Sequence, residues 1–123
     1  MDGLGVKKDY KKAINLLNTA AESGNAQAFC NLGLIYENGL GVTRDYKRAF
    51  SLYAKASSAG VPEAKLFIAR MFETGSGVKK NLEAAERWYS KAASAGLEEA
   101  QDKLRELQKR KESPKTIDSL RTF

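Results

Sequence analysis

The side chains that carry chemistry in most proteins are scarce here. The chain has no histidine, which removes the commonest metal ligand and the commonest general base. Its one cysteine, Cys30, has no imidazole to activate it and no second thiol to pair with. A packed thiol beside core positions is therefore the reading adopted for Cys30. Gly75-Ser76-Gly77 followed by Lys79 and Lys80 has the flavour of a phosphate loop, and Ser76 to Lys79 matches a Ser-x-x-Lys nucleophile pattern. No strand is predicted before the loop, and the same place earlier in the chain reads Gly39-Leu40-Gly41. A turn is the better account. Trp88 and Tyr89 fall on the inner face of a predicted helix, where they read as core rather than as a stacking platform. No acid, base and nucleophile converge. The sequence predicts no enzyme, no cofactor and no metal site.

Charge needs locating before it is interpreted. The net charge of +6 is concentrated in Lys103–Phe123, where seven basic and three acidic residues leave +4, while the preceding 102 residues hold 14 basic and 12 acidic residues. A basic terminal helix and tail can touch nucleic acid or an anionic surface, but a solvated end is the favoured reading. Nucleic acid is accordingly not favoured as a partner. At 123 residues, 42% hydrophobic and 29% charged, the composition is that of one globular domain. No apolar run approaches the roughly 18 residues of a membrane span. The opening residues lack the apolar stretch of a signal peptide. An intracellular chain is the default expectation, and the sequence also fits a piece of something longer.

What must position any site is an internal repeat. Placing Gly5 over Gly41 and Gly77 sets a 36-residue step, and seven positions are then identical in all three copies, among them Ala13/Ala49/Ala85, Ala20/Ala56/Ala92 and Gly24/Gly60/Gly96. Each copy reads as two helices. Asp9, Asp45 and Asn81 are predicted N-caps. Apolar residues at helical spacing follow, such as Ala49, Leu52, Tyr53 and Ala56. Glycine at 24, 60 or 96 closes the first helix, and Gly39 or Gly75 closes the second. Helices are predicted near residues 9–23, 26–38, 45–59, 62–74, 81–95 and 98–112, with no strand. The fold class is all-α: an α/α-solenoid of antiparallel pairs.

The string from Ala28 to Val42 (Ala-Phe-Cys-Asn-Leu-Gly-Leu-Ile-Tyr-Glu-Asn-Gly-Leu-Gly-Val), then Asp45, Ala49, Tyr53, Lys55-Ala56 and Gly60, resembles the Sel-1-like repeat, a relative of the tetratricopeptide repeat. The third copy matches through Gly75, Gly77-Val78, Ala85, Trp88-Tyr89, Lys91-Ala92-Ala93 and Gly96. Ala69 stands where the family usually has Gly, and Asn81 where it usually has Asp. The resemblance spans residues 3 to about 110. It implies a right-handed superhelix and adaptor work, holding protein complexes together. Some disulfide-rich relatives have been assigned antibiotic-binding or hydrolysing activity, a branch that a single cysteine does not match.

The expected organisation is a solenoid over residues 1–112, with periods 3–38, 39–74 and 75–110, and a basic, flexible tail over 113–123. The last helix should be a polar cap, because Arg105 stands at the close-packing site of Ala69, and the Ser113-Pro114 step should end it. At the other end Ala13, Leu16 and Leu17 have no preceding helix in this chain, so self-association through the uncapped first helix, or fraying there up to about Gly24, is expected. Partners of such solenoids dock on the surface lined by one helix of each pair. On the second helix of each pair, Asn31 and Leu34, and one period on Phe67 and Arg70, form a stripe opposite the core. Apolar residues beside an arginine on an outward face suit a hot spot for a protein or peptide. These four are the predicted binding residues of a non-catalytic scaffold; the alternative is anion binding by the basic C-terminal segment.

Overall fold

The computed structural model describes the backbone of residues 3–121 and the side chains of residues 9–110. Six helices follow one another: α1 Gly3–Glu22, α2 Ala26–Asn38, α3 Tyr46–Ser58, α4 Pro62–Thr74, α5 Leu82–Ser94 and α6 Glu98–Arg121. Among the described residues there is no strand. Each helix packs on its sequence neighbour, most extensively α2 on α3 and α4 on α5. This is an all-α helical repeat, as the 36-residue period requires.

The predicted boundaries hold where chemistry enforces them. Asp45 accepts the N–H of Arg48 at 3.0 Å and Asn81 that of Ala84 at 3.0 Å, each in extended backbone. Asn25 does the same for α2, at 3.2 Å from the N–H of Ala28, a cap the sequence reading passed over. Pro62 starts α4 instead, where its missing N–H costs nothing. Gly60 and its counterparts take φ near +98°, and the next amide reaches back to the helix, Val61 to the Ala56 carbonyl at 3.0 Å.

Both ends depart from expectation. α1 starts at Gly3 and runs straight through Asp9, so Asp9 caps nothing. At the equivalent positions the amides of Asp45 and Asn81 bond to the carbonyls of Tyr36 and Phe72, each at 2.9 Å, which folds the preceding turn back on the helix before it. At the far end α6 passes through Pro114 to Arg121 rather than stopping at the Ser113-Pro114 step. One proline removes one backbone donor and crowds the carbonyl four residues earlier, a local cost that the helical residues on both sides absorb.

Two clusters make the core. Cys30, Tyr53, Ile68 and Met71 with the alanines at 49, 56 and 64 bind α2, α3 and α4 together. Leu66, Tyr89 and Leu107 with the alanines at 69, 85, 92 and 100 do so for α4, α5 and α6. The recurring alanines are fully buried, and their small size lets the helix axes approach. Ala13 and Ala20 occupy the same repeat positions on α1 yet stay half-exposed, and Leu16 there is 66% exposed.

Candidate functional site

The predicted stripe lies on α2 and α4. Asn31 is exposed, while Leu34 and Phe67 are half-buried against the cluster around Tyr53. The Phe67 ring sits 5.1 Å from that of Tyr53, tilted by 42°. The Arg70 guanidinium lies 5.4 Å from the centroid of Phe67, within cation–π range. Packing on the Tyr53 cluster therefore covers part of both apolar side chains without closing them off. Phe67 and Arg70 touch, Leu34 joins them through the Tyr53 cluster, and Asn31 stands one turn away on α2. Arg70 makes no ion pair within 4 Å among the described residues. The surface depression of about 300 Å³ between α1, α2 and α3, bounded by Asn18, Phe29, Leu52 and Lys55, includes none of the four.

Beneath the stripe runs a polar device that the sequence reading treated only as core. Tyr53 of α3 donates its hydroxyl to Glu37 of α2 at 2.5 Å, and Tyr89 of α5 donates to Glu73 of α4 at 2.6 Å. The two bonds repeat at 36 residues, the one signal that could have found them. Burial pushes both phenols well above their usual range, and the carboxylate each faces pushes them further. Arg70 pulls both slightly down, so its charge reaches the two pairs alike. Each bond gives a buried hydroxyl its partner and fixes the rotation of one helix against the next. Tyr53 and Tyr89 thus stay neutral donors at ordinary pH. They hold the surface that carries Phe67 and Arg70.

The remaining candidates resolve simply. Cys30 is buried in the first cluster, and its thiol is pushed up to about 11 by burial and then by the charge of Glu63. A thiol that stays protonated is a poor nucleophile. The Gly75-Ser76-Gly77 segment is the closing turn of α4: the amides of Gly75 and Ser76 both bond to the Met71 carbonyl, and the Ser76 hydroxyl lies 2.8 Å from that of Thr74. Tyr89 is fully buried, and half-buried Trp88 carries Lys91 at 4.5 Å over its ring. Among the described residues no three His, Cys, Asp or Glu side chains cluster as metal ligands would. No helix there is long and apolar enough to cross a membrane.

The Sel1 repeat model matches residues 1–25, 26–61 and 62–97. Its units join α2 to α3 and α4 to α5, the pairs with the largest contact. A Sel1 repeat protein from Oxalobacter formigenes is similar in crystal structure, with 41% identity over 76% of this chain and 70% of that one, and a TM-score of 0.71. So is Helicobacter pylori cysteine rich protein B, at 30% identity, the same 76% and 70% coverage and a TM-score of 0.70. The protective antigen c5321 of uropathogenic Escherichia coli strains, which displays an SLR fold, is 37% identical over 71% of this chain with a TM-score of 0.68. The chain spans only 19% of that antigen's length. A comparison with curated proteins finds no match. Sel1 repeats are in general protein-interaction scaffolds. With three consecutive matched units, and with the caps, glycine turns and buried alanines recurring at the same step, the chain belongs to the Sel1 repeat family.

Proposed function

We propose that this chain is a non-catalytic protein–protein interaction scaffold, and that it holds a protein or peptide partner on the α2/α4 face through Asn31, Leu34, Phe67 and Arg70. One observation carries the reading: a half-buried guanidinium without an ion pair rests on a half-buried ring on the outward face of α4. Arginine and aromatic side chains in such settings dominate binding energy. Peptides selected from a random library against the intact chain should bind the Phe67→Ala, Arg70→Ala double variant at least about tenfold more weakly, a difference of roughly 1.4 kcal/mol. Equal affinity for the double variant removes these residues from the site.

Two lesser readings have their own tests. The exposure of Leu16, 66%, supports self-association through α1. Light scattering should then show dimers that a Leu16→Glu substitution disperses, and a monomeric parent chain sinks this reading. The basic C-terminal segment as a nucleic-acid site is not favoured. Binding near 0.15 M salt should stay in the weak non-specific range of about 10⁻⁴ to 10⁻⁶ M. Sub-micromolar binding that disappears with residues 109–123 reverses that ranking.

A further inference from the structure

The near-balance of charge along the first 102 residues hides a segregation in space. The turn over residues 39–44 lies against α1, since a Cβ added at Gly41 would stand 2.5 Å from Cβ of Tyr10. One period on, the turn over 75–80 lies against the start of α3, since a Cβ at Gly77 would stand 2.5 Å from the carbonyl oxygen of Tyr46. Glu73, just before that turn, is 4.0 Å from Arg110 of α6. α1, the two turns, the start of α3 and the middle of α6 thus succeed one another along one edge of the solenoid.

Most stations on this edge carry exposed basic residues, the start of α5 with Glu83 being the exception. Lys11 and Lys12 stand on α1, Arg44 in the first turn segment, and Lys47 and Arg48 in the first turn of α3. Lys79 and Lys80 follow, then Arg110. Two of the guanidinium groups are held in place by rings: Arg48 lies 4.6 Å from the centroid of Tyr36 and Arg44 5.5 Å from that of Tyr46. The acids on the same edge are largely occupied. Asp45 caps α3, Glu37 and Glu73 accept from the buried tyrosines, and Glu106 pairs with Arg110 at 3.0 Å; Asp9 and Glu83 stay exposed. At the opposite edge the first turns of α4 and α6 carry Glu63 and Glu98-Glu99.

Lys47 and Arg48 sit where folding alone disfavours them. The N-terminus of a helix is the positive end of its dipole, and α3 has no acidic residue in its first turn. This choice is made at α3 and not at α5, whose first turn carries Glu83, and a local choice that works against stability marks this stretch of the edge as a surface kept for an anion. We propose that this basic edge is a second binding surface, separate from the α2/α4 face, and that its partner is an acidic polypeptide segment. The spacing favours that class. Stations one packed helix apart lie about 10 Å from each other, the reach of about three residues of extended chain. A duplex offers a phosphate charge about every 1.7 Å, far denser than the edge uses. Among the described residues the edge offers no open ring for base stacking: Tyr36 and Tyr46 are half-buried under arginines and half-buried Tyr10 lies against Gly41. Leu82, 43% exposed, is the lone large apolar side chain exposed here among the described residues, too little to enter a bilayer.

The test uses a fluorescein-labelled oligoglutamate peptide and the full chain, by anisotropy at about 0.05 M salt, where screening is modest. Binding should weaken about tenfold or more in Lys47→Glu, Lys79→Glu. The same charge change at the other helix ends, Lys55→Glu, Lys91→Glu, should leave it within about threefold. Melting separates loss of the site from loss of the fold. Lys47→Glu, Lys79→Glu should melt no lower than the parent, because a carboxylate now faces the positive end of α3, whereas Lys55→Glu, Lys91→Glu should melt lower. Phe67→Ala, Arg70→Ala should still bind oligoglutamate. The proposal fails if the parent does not bind, if both charge reversals weaken binding alike, or if the Phe67 and Arg70 variant loses it. Tighter binding to a single-stranded oligonucleotide of equal charge, or to phosphatidylserine vesicles, overturns the assignment to an acidic polypeptide.

Discussion

The α2–α3 pair and the α4–α5 pair are built to one plan with different contents. Both lock a tyrosine of the later helix to a glutamate of the earlier one. In the first, the helix axes meet at Gly33, where a Cβ would stand 2.5 Å from Cε1 of Tyr53. In the second, Ala69 occupies the same repeat position fully buried, so the Tyr89 ring has been given room for one more methyl group. The acceptors differ too. Glu37 takes the Tyr53 hydroxyl as its side-chain donor among the described residues, whereas Glu73 also faces Arg110 from α6. The same architecture therefore accommodates glycine or alanine at the helix contact while ring and carboxylate stay the same.

Removing the rings should have the largest effect. Tyr53→Ala and Tyr89→Ala should each destabilise by about 3–5 kcal/mol in chemical denaturation, as expected when a large aromatic leaves a filled core. Similar losses at both sites keep the two pairs equivalent; a difference beyond about 2 kcal/mol would mean one pair carries the fold. Next come the small residues. Gly33→Ala should cost about 1–3 kcal/mol by forcing the Tyr53 ring aside. Ala69→Gly should cost about 1 kcal/mol, mostly backbone entropy. A neutral or stabilising Gly33→Ala would show that the ring yields and that the pairs do not differ in spacing.

The hydroxyls offer a finer cut. Tyr53→Phe leaves Glu37 without its donor and should cost about 1–2 kcal/mol, while Tyr89→Phe leaves Glu73 facing Arg110 and should cost less. Equal costs would show that Arg110, exposed and 4.0 Å away, contributes nothing. The smallest effect lies at high pH. The Tyr53, Tyr89 and Cys30 groups are all raised in the folded chain, so the unfolded chain loses their protons first. Stability should be level below about pH 9 and fall as pH rises from there through about 11, the range set by the Cys30 thiol. Thermal melts between pH 8 and 11 check the sign, and a rise in stability would contradict it.

Much of this fold is legible in a single sequence because its rules are local. A carboxylate or carboxamide three residues before a free amide makes a cap at Asp45 and Asn81, and a glycine at 60 turns the chain at a fixed place. Asp9 shows the limit: the residue type is right for a cap, but α1 already runs from Gly3 through it. The candidate site is half legible. Helical spacing put Leu34, Phe67 and Arg70 on one face, yet how far superhelical curvature covers them depends on packing that no window of sequence reports. The tyrosine–glutamate bonds join residues 16 apart across two helices. Counting charges along the chain concealed the proposed basic edge, because α1, the start of α3 and the 75–80 turn come to one edge only when the helices stack.

Since each helix meets chiefly the one before and after it, the loops closed in folding are short. Such low contact order places folding among the fast helical proteins, in the microsecond to millisecond range. It also uncouples the two ends. A helix pair at one terminus can open and reclose without a signal at the other, so the chain should behave less as one cooperative block than as a short row of linked switches.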